Sequence, residues 1–265
     1  MNDAFRQIIC SAAIREADLI LITGDVTDRG ELKAWETFWS ILDAAGLTKK
    51  VLVIPGNHDV GCLGLGRIYG KAGLQMTIEG LRIGGQPTAF PWVVMPNPGI
   101  AIFGLNSNNL QETRATGTAG GELSYFELER LARLLYKYRD ASVKIVTLHH
   151  SPNITSKEVA IRRGQQRLSM VERLSLQLPQ QDRRALRLLC LSHHVRLILH
   201  GHVHLDEDRR VGGLRIAGAG ATTEPSSYED SHPLYSYFTY AIHESGNHIQ
   251  RRRNTVYRRG SDSMS

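Results

Sequence analysis

Short runs of apolar residues alternate with longer segments of helical periodicity along most of the chain. Each run consists mainly of β-branched residues and leucine, which is typical of a strand buried on both faces. Five such strands are predicted: DLILIT (18–23), KVLVIPG (50–56), GIAIFGLNS (99–107), SVKIVTLHH (142–150) and VRLILHGHVH (195–204). Helices are predicted over residues 4–16, 31–46, 121–140 and 182–194. The alternation predicts an α/β fold with a largely parallel sheet covered on both faces.

Two parts of the chain depart from this pattern. Residues 61–90 are rich in glycine, and we expect a loop there. After residue 205 the chain continues in shorter strand-like pieces, and its last fifteen residues, RRRNTVYRRGSDSMS, hold five arginines and one aspartate. We therefore expect one domain over residues 1–250 and a basic, disordered tail over residues 251–265.

Composition excludes several classes of protein. No window of the 265 residues approaches eighteen uninterrupted apolar residues, so no membrane span is expected. The three cysteines are far apart, which argues against a disulfide framework and favours a reducing cytoplasm. The net charge is +6, with basic stretches at 161–189 and in the tail. A solvated surface is the simpler interpretation of these stretches, and contact with nucleic acid is the alternative.

Polar groups capable of metal binding stand at the carboxyl ends of four of the predicted strands. They are Asp25 and Asp28 in GDVTD, Asn57, His58 and Asp59 in GNHD, His149 and His150 in HHSP, and His202 and His204 in GHVH. The carboxyl ends of parallel strands meet at one edge of a sheet, so these side chains are expected to converge. Each group alone is as well explained by a cap, a turn or a polar strand end. Together, their carboxylate, amide and imidazole donors suit Mn, Fe or Zn.

The GHVH segment supports the same interpretation. If it is extended, alternation sends His202 and His204 to the same side of the chain. Two ligands of one metal cluster need such an arrangement.

The ordered series GD, GNHD, HHxP and GHxH resembles the calcineurin-like metallophosphoesterase superfamily, particularly its bacterial cyclic-nucleotide-phosphodiesterase-like branch. The resemblance covers roughly residues 4–220. It implies a layered β-sandwich flanked by helices, and hydrolysis of a phosphomonoester or phosphodiester by a metal-activated water. The implied partner is a small phosphoester, with nucleotides among the candidates. The oligomeric state stays open.

The resemblance also implies a role for each matching residue. Asp25 corresponds to the carboxylate that bridges two metal ions. Asn57, His149 and His202 would complete the second metal site, with His150 behind His149, and His204 would bind the first metal. His58 corresponds to a general acid or phosphate contact, Asp28 to its partner, and Arg29 to a further phosphate contact.

One part of the family pattern is missing. The family begins with a strand that ends in Asp-x-His and supplies two ligands to the first metal, and no such motif precedes Gly24. Only Asp25 and His204 then remain for the first metal, so one well-liganded site is expected. The missing strand would also leave sheet edges unpaired. We considered a start codon assigned too late, a fragment with little activity, and a one-metal variant. The alternative function is a catalytically impaired or non-catalytic homologue that binds metal or phosphate.

Overall fold

A computed structural model of the chain describes residues 3–61, 71–108, 120–153, 178–204, 206–222, 225, 227–229, 232–243 and 248–257. The helices are α1 (Asp3–Cys10), α2 (Ala12–Arg15), α3 (Leu32–Ala44), α4 (Lys71–Ile83), α5 (Tyr125–Lys137) and α6 (Gln180–Ser192), with a 3-10 turn at Thr48–Lys50. The strands are β1 (Ile20–Ile22), β2 (Val51–Val53), β3 (Trp92–Asn97), β4 (Ile100–Gly104), β5 (Val143–Thr147), β6 (Leu197–His200), β7 (Glu207–Val211), β8 (Leu214–Gly218), β9 (Ser227–Glu229), β10 (His232–Ile242) and β11 (Ile249–Tyr257).

A six-stranded sheet in the order β3-β4-β5-β6-β8-β7 forms the centre of the fold. Strands β4, β5, β6 and β8 run parallel, and the outer strands β3 and β7 pair antiparallel. Every residue of β4 and β5 is buried, as expected for central strands with both faces covered. Helices α5 and α6 cover one face through an apolar cluster that includes Leu131, Leu135 and Leu186.

A second layer of strands packs on the other face of the six-stranded sheet. Side chains alternate along β1, so Leu21 faces the six-stranded sheet while Ile20 and Ile22 face α1 and α3. Strands β10 and β11 share this layer, because Tyr240 packs against the same inter-sheet cluster as Leu21, and Tyr237 packs against the same cluster on the helical side as Ile22. The result is two β-layers between two helical layers, which confirms the predicted sandwich.

A cavity of about 1470 Å³ lies between β1 and β10 in this second layer. Strand β1 pairs in parallel with β2, while β10 pairs with β11 along its length and with β9 over residues 232–234. Within the described part of the chain, the edge of β1 away from β2 has no strand partner, and neither has the edge of β10 away from β11 over residues 236–242, which line the cavity. Unpaired edges are what the sequence led us to expect in this layer.

Helix α4 shows where the sequence prediction was wrong. Residues 61–90 were expected to form a loop, but Lys71–Ile83 is helical. Glycines in this helix and just after it leave space for the side chains of α3. A Cβ on Gly80 would strike the ring of Trp35, and one on Gly84 would strike the ring of Trp39. The indole N–H of Trp39 also donates to the carbonyl oxygen of Gly80 at 2.7 Å. Glycine here marks close helix packing against α3 instead of a turn.

Three further predictions differ in detail from the structure. The first predicted helix is broken at Ser11, and strand β3 was not predicted. The expected tail beginning at residue 251 lies partly in β11, where residues 251–257 pair antiparallel with β10. Residues 258–265 and most of the basic stretch 161–189 lie outside the described residues.

Among the residues that are described, no helix has the length and apolar character needed to span a membrane.

The start of α5 carries a carboxyl group with an unusual environment. The Ser124 hydroxyl caps the helix by accepting from the backbone N–H of Glu127 at 3.1 Å. The Glu127 carboxylate reaches away from the helix and accepts from the backbone N–H of Asn106 at 2.8 Å. Burial nevertheless raises the pKa of Glu127 to about 7. The folded chain therefore favours the protonated form of this side chain.

Glu127→Gln should remove a pH-dependent loss of stability. Below the ordinary pKa of 4.5, both folded and unfolded chains hold the proton. Between that value and about 7 only the unfolded chain releases it, so the free energy of unfolding falls as pH rises, and it levels off above 7. We expect about 1–2 kcal/mol, reduced by partial exposure of the group.

Urea denaturation at pH 5 and pH 8 measures this effect. The wild-type chain should lose stability relative to Glu127→Gln over this interval. Glu129→Gln, on the same helix with a side chain 39% exposed, is the control. Parallel pH profiles for wild type and Glu127→Gln would contradict the assignment.

Candidate metal centre

Four loops meet at the carboxyl ends of β1, β2, β5 and β6. They carry Asp25, Asn57, His149 and His202, the first two from the β1–β2 sheet and the last two from the six-stranded sheet. Two glycines make room for this meeting. A Cβ on Gly24 would strike the ring of His149, and a Cβ on Gly56 would strike the Asp25 carboxylate. The glycines in GD and GNHD therefore let the two loops and the imidazole approach one another.

His149 is the central side chain of this group. Its Nδ1 lies 2.6 Å from the carbonyl oxygen of Thr23, which can only accept, so Nδ1 carries a proton. In the neutral ring, Nε2 then presents a lone pair. Nε2 lies 3.1 Å from Oδ1 of Asn57, 3.1 Å from Nδ1 of His202 and 3.4 Å from Oδ2 of Asp25.

His150 and His202 complete a compact cluster of imidazoles. The ring centroids of His150 and His202 lie 4.5 Å apart, and the ligand nitrogens of His149, His150 and His202 all lie within 4.8 Å of one another. Ser107 fixes the ring of His150, since its hydroxyl lies 2.8 Å from Nδ1 and accepts from the backbone N–H of His150 at 3.0 Å. A Cβ on Gly121 would strike the same ring, so the chain packs closely on its other side.

Burial and charge shift the pKa values of the cluster in opposite directions. Burial alone would raise the pKa of Asp25, but the charge and hydrogen bond of His149, with the charges of His58 and His202, bring it below its ordinary value. Burial opposes the charged form of His149, yet Asp25 raises its pKa overall. Burial, followed by the neighbouring imidazoles, lowers the pKa of His202 well below its usual value. The centre thus combines a carboxylate with a neutral imidazole.

Asp59 ties the first two loops together beneath this cluster. Its Oδ1 accepts from the backbone N–H of Thr27 at 2.8 Å and from the Thr27 hydroxyl at 3.0 Å. Its Oδ2 accepts from the backbone N–H of Gly56 at 2.8 Å. Burial and then the charge of Asp25 raise the pKa of Asp59 to about 6, against these three hydrogen bonds. Asp59 therefore fixes the loops after β1 and β2 in position relative to each other.

The residues expected to handle phosphate lie at the exposed side of the centre. The Nδ1 atom of His58 lies 3.1 Å from the backbone oxygen of Asp28 and 3.4 Å from its carboxylate. The Nε of Arg29 lies 3.4 Å from the other carboxylate oxygen of Asp28. The backbone N–H of His58 donates to Oδ1 of Asp25 at 3.1 Å, which links this group to the cluster.

The backbone is left-handed at three residues of the centre. Asp25, His202 and His204 have φ of 56°, 65° and 51°, a region that residues other than glycine rarely adopt. The expectation of an extended GHVH segment was therefore wrong, because β6 ends at His200 and a turn follows. His202 reaches the cluster through this turn. His204 lies near enough for its charge to contribute to the lowered pKa of His202.

The donor set fits a divalent cation. Asp25, Asn57, His149 and His202 bring oxygen and nitrogen donor atoms to one point. Zn–N bonds are about 2.0–2.1 Å, so ligands at tetrahedral corners lie roughly 3.4 Å apart, close to the observed separations. Imidazole, amide and carboxylate donors suit Mn, Fe or Zn.

Ser107 was not among the residues predicted for the site, and Asp59 was named in GNHD but given no role of its own. Ser107 stands in GLNS at the carboxyl end of β4, so the same strand-end rule that located the other groups was available for it. Asp59 stood in GNHD, but its link to Thr27 spans 32 positions and no local pattern reveals that pairing. A buried carboxylate joining two loops is visible only in three dimensions.

Comparison with known proteins places the chain among relatives. A family model described as calcineurin-like phosphoesterase matches residues 1–206. A protein of Vesicomyosocius okutanii named as a probable cyclic nucleotide phosphodiesterase is 25% identical over 218 residues, which cover 82% of this chain and 75% of that protein.

Two solved structures share the fold. A dimetal phosphatase from Danio rerio superposes with a TM-score of 0.60 at 14% identity, covering 96% of this chain and 88% of that one. A putative 5′-nucleotidase from Staphylococcus aureus superposes with a TM-score of 0.52 at 12% identity, covering 96% of this chain and 48% of that one. At these identities the likeness concerns the fold alone.

Ser107→Ala should weaken metal binding. The ring of His150 would lose its hydroxyl partner and turn more freely against His202, and removing a partner that orients a metal-site histidine typically costs about 10–100-fold in affinity. Isothermal titration of Mn²⁺ into the chelator-stripped protein measures this loss. Ser151→Ala is the matched control, because Ser151 is equally buried but its hydroxyl accepts from the backbone N–H of Asn153. Equal Mn²⁺ affinity in wild type and Ser107→Ala would refute the role.

Proposed function

Because this chain belongs to the calcineurin-like phosphoesterase family, we propose that it hydrolyses a small phosphomonoester or phosphodiester with the help of a divalent metal ion. One observation carries the proposal: lone pairs of Asp25, Asn57 and His202 converge on Nε2 of His149 at 3.1–3.4 Å. Nucleotides are the first substrate class to test, because the curated relative is named for cyclic nucleotides.

Asp25, Asn57, His149 and His202 would hold the metal. When bound, a divalent ion supplies Lewis acidity and lowers the pKa of water toward about 7. The Thr23 carbonyl fixes His149 in the tautomer whose Nε2 is free to bind, at an Nδ1–O distance of 2.6 Å. Asp25 remains ionised, because the surrounding imidazoles lower its pKa.

His58 would hold the proton delivered to the leaving oxygen. Its Nδ1 faces the backbone oxygen and carboxylate of Asp28, so Nε2 points away from that partner. The side chain is 36% exposed and thus open to a substrate. Asp28 orients the ring, as a general acid requires. The backbone N–H of His58 donates to Oδ1 of Asp25 at 3.1 Å, so His58 lies next to the residues that would bind the metal.

Arg29 would contact a phosphate oxygen. Its guanidinium is 62% exposed and lies 3.4 Å from the Asp28 carboxylate. This distance is long for an ion pair, and an incoming phosphate can form a shorter charge-assisted hydrogen bond with the guanidinium. Charge neutralisation at this point would stabilise the equatorial oxygens as the ester bond breaks.

A mononuclear centre is the form that the donor positions favour. Within the described part of the chain, one group of three histidine, cysteine or acidic ligand atoms lies within 4.8 Å, that of His149, His150 and His202. For a first metal the matching residues are Asp25 and His204. A second candidate function follows from this imbalance: a homologue that binds metal or phosphate with little or no turnover.

Asn57→Ala should separate the two candidates. Loss of the amide oxygen removes one donor from the metal site, so kcat/KM on bis(p-nitrophenyl) phosphate with Mn²⁺ should fall by at least about 100-fold. Chelation of the metal should abolish the wild-type activity. Asn97→Ala is the control, since Asn97 accepts from Gly99 at the β3–β4 turn, away from the cluster.

If wild type and Asn57→Ala are equally inert at saturating Mn²⁺, the hydrolase proposal fails. Titration of Mn²⁺ then tests the second candidate. Tighter Mn²⁺ binding by wild type than by Asn57→Ala would support a homologue that binds metal without turnover.

A further inference from the structure

The turn that carries His202 is supported by a second histidine. The backbone N–H of Val203 donates to the carbonyl oxygen of Gly201 at 2.8 Å, which closes a three-residue turn with His202 at its centre. The φ of 65° at His202 makes this a rare and strained type of turn. The Nδ1 atom of His200 lies 3.1 Å from the same carbonyl oxygen. Because that oxygen can only accept, Nδ1 carries a proton and is a second donor to the atom that closes the turn.

A buried carboxylate lies against the other ring nitrogen of His200. The Oε2 atom of Glu207 is 3.2 Å from Nε2 of His200, in a contact whose geometry falls short of a hydrogen bond. The other carboxylate oxygen, Oε1, lies 3.2 Å from Nε of Arg209 and accepts from Nδ2 of Asn153 at 3.4 Å. Asn153 stands four positions after His149, in the loop that follows β5. Glu207 therefore touches both segments that bring imidazoles to the centre from the six-stranded sheet.

The register of the sheet explains why Glu207 and His200 can meet. On β8, Gly218 pairs with Glu207 of β7 on one side and with His200 of β6 on the other. The three residues form one row across the sheet, and side chains in such a row share a face. Strands that are two apart are separated by about 9–10 Å. Because glycine has no side chain to stand between its neighbours, the long side chain of Glu207 reaches across it to the imidazole.

We propose that Glu207 is a positioning residue of the metal centre, which acts through the ring of His200 on the turn that carries His202. A strained backbone persists only where surrounding contacts hold it, and the His200 ring supplies such a contact. Glu207 fixes that ring from the side opposite the turn. The inference rests on the proposed function in one respect, that His202 is a ligand of the metal.

Mn²⁺ affinity and the visible absorption of the Co²⁺-loaded, full-length chain test the proposal. Glu207→Asp keeps the charge but shortens the side chain, so it should weaken Mn²⁺ binding about tenfold. The Co²⁺ bands depend on ligand geometry and should shift as His202 moves. Glu207→Gln keeps the length, and its amide can donate to Nε2 of the neutral His200 ring. Both measurements on Glu207→Gln should therefore match wild type.

Asp208→Ala controls for a general loss of stability. Asp208 is the next residue of β7, so its side chain lies on the other face of the sheet. Its carboxylate lies 2.7 Å from Arg215 and 3.3 Å from Arg251. This variant should unfold at a lower urea concentration than wild type but bind Mn²⁺ and Co²⁺ as wild type does. Circular dichroism confirms that all three variants fold.

Three outcomes would overturn the proposal: wild-type Mn²⁺ affinity and Co²⁺ absorption in Glu207→Asp, equal losses in Glu207→Asp and Glu207→Gln, or an equal loss in Asp208→Ala. Hydrolysis of bis(p-nitrophenyl) phosphate by the same samples separates this inference from the proposed function. Mn²⁺ binding that depends on Glu207, without hydrolysis by wild type, would defeat the proposed function alone. Hydrolysis by wild type, with Mn²⁺ affinity independent of Glu207, would defeat this inference alone.

Discussion

The candidate site depends on the contact between the ring of His149 and the carbonyl oxygen of Thr23. This contact, at 2.6 Å, crosses from the six-stranded sheet to the end of β1 and decides which ring nitrogen is free. Because Nδ1 is committed to the carbonyl, Nε2 faces Asp25, Asn57 and His202. The glycines beside Asp25 and Asn57 leave the space that this approach needs. The chemistry of the centre is therefore set by a backbone atom.

The backbone at the centre is strained in a consistent way. Four residues other than glycine have a left-handed φ in the described part of the chain, and three of them, Asp25, His202 and His204, lie here. Such conformations persist only where surrounding contacts hold them. Asp59 supplies that support for the first two loops through hydrogen bonds to Thr27 and Gly56. His149 supplies it for His202 through the 3.1 Å contact between their rings.

Much of this arrangement was predictable from sequence, because the four polar groups follow strands whose carboxyl ends must meet. Asp25, Asn57, His149 and His202 were predicted and do converge, and the pairing of His58 with Asp28 is present. Contacts between distant segments were not predictable. Gly80 and Gly84 suggested a loop. They are instead required by tryptophans of another helix, and the sequence does not show that contact. The turn that orients His202 was missed, since alternation predicts only extended chain.

The origin of the four donors in two separate sheets has a consequence for stability. Asp25 and Asn57 follow the short β1–β2 sheet, which borders the 1470 Å³ cavity, while His149 and His202 follow the six-stranded sheet. An ion bound by all four would link the two sheets, which are otherwise joined mainly by apolar packing. Ligands that bind only the folded state stabilise it, by about 2.7 kcal/mol at a hundred times their dissociation constant. With an ion bound by these four donors, the melting temperature of this chain would rise with the concentration of free metal.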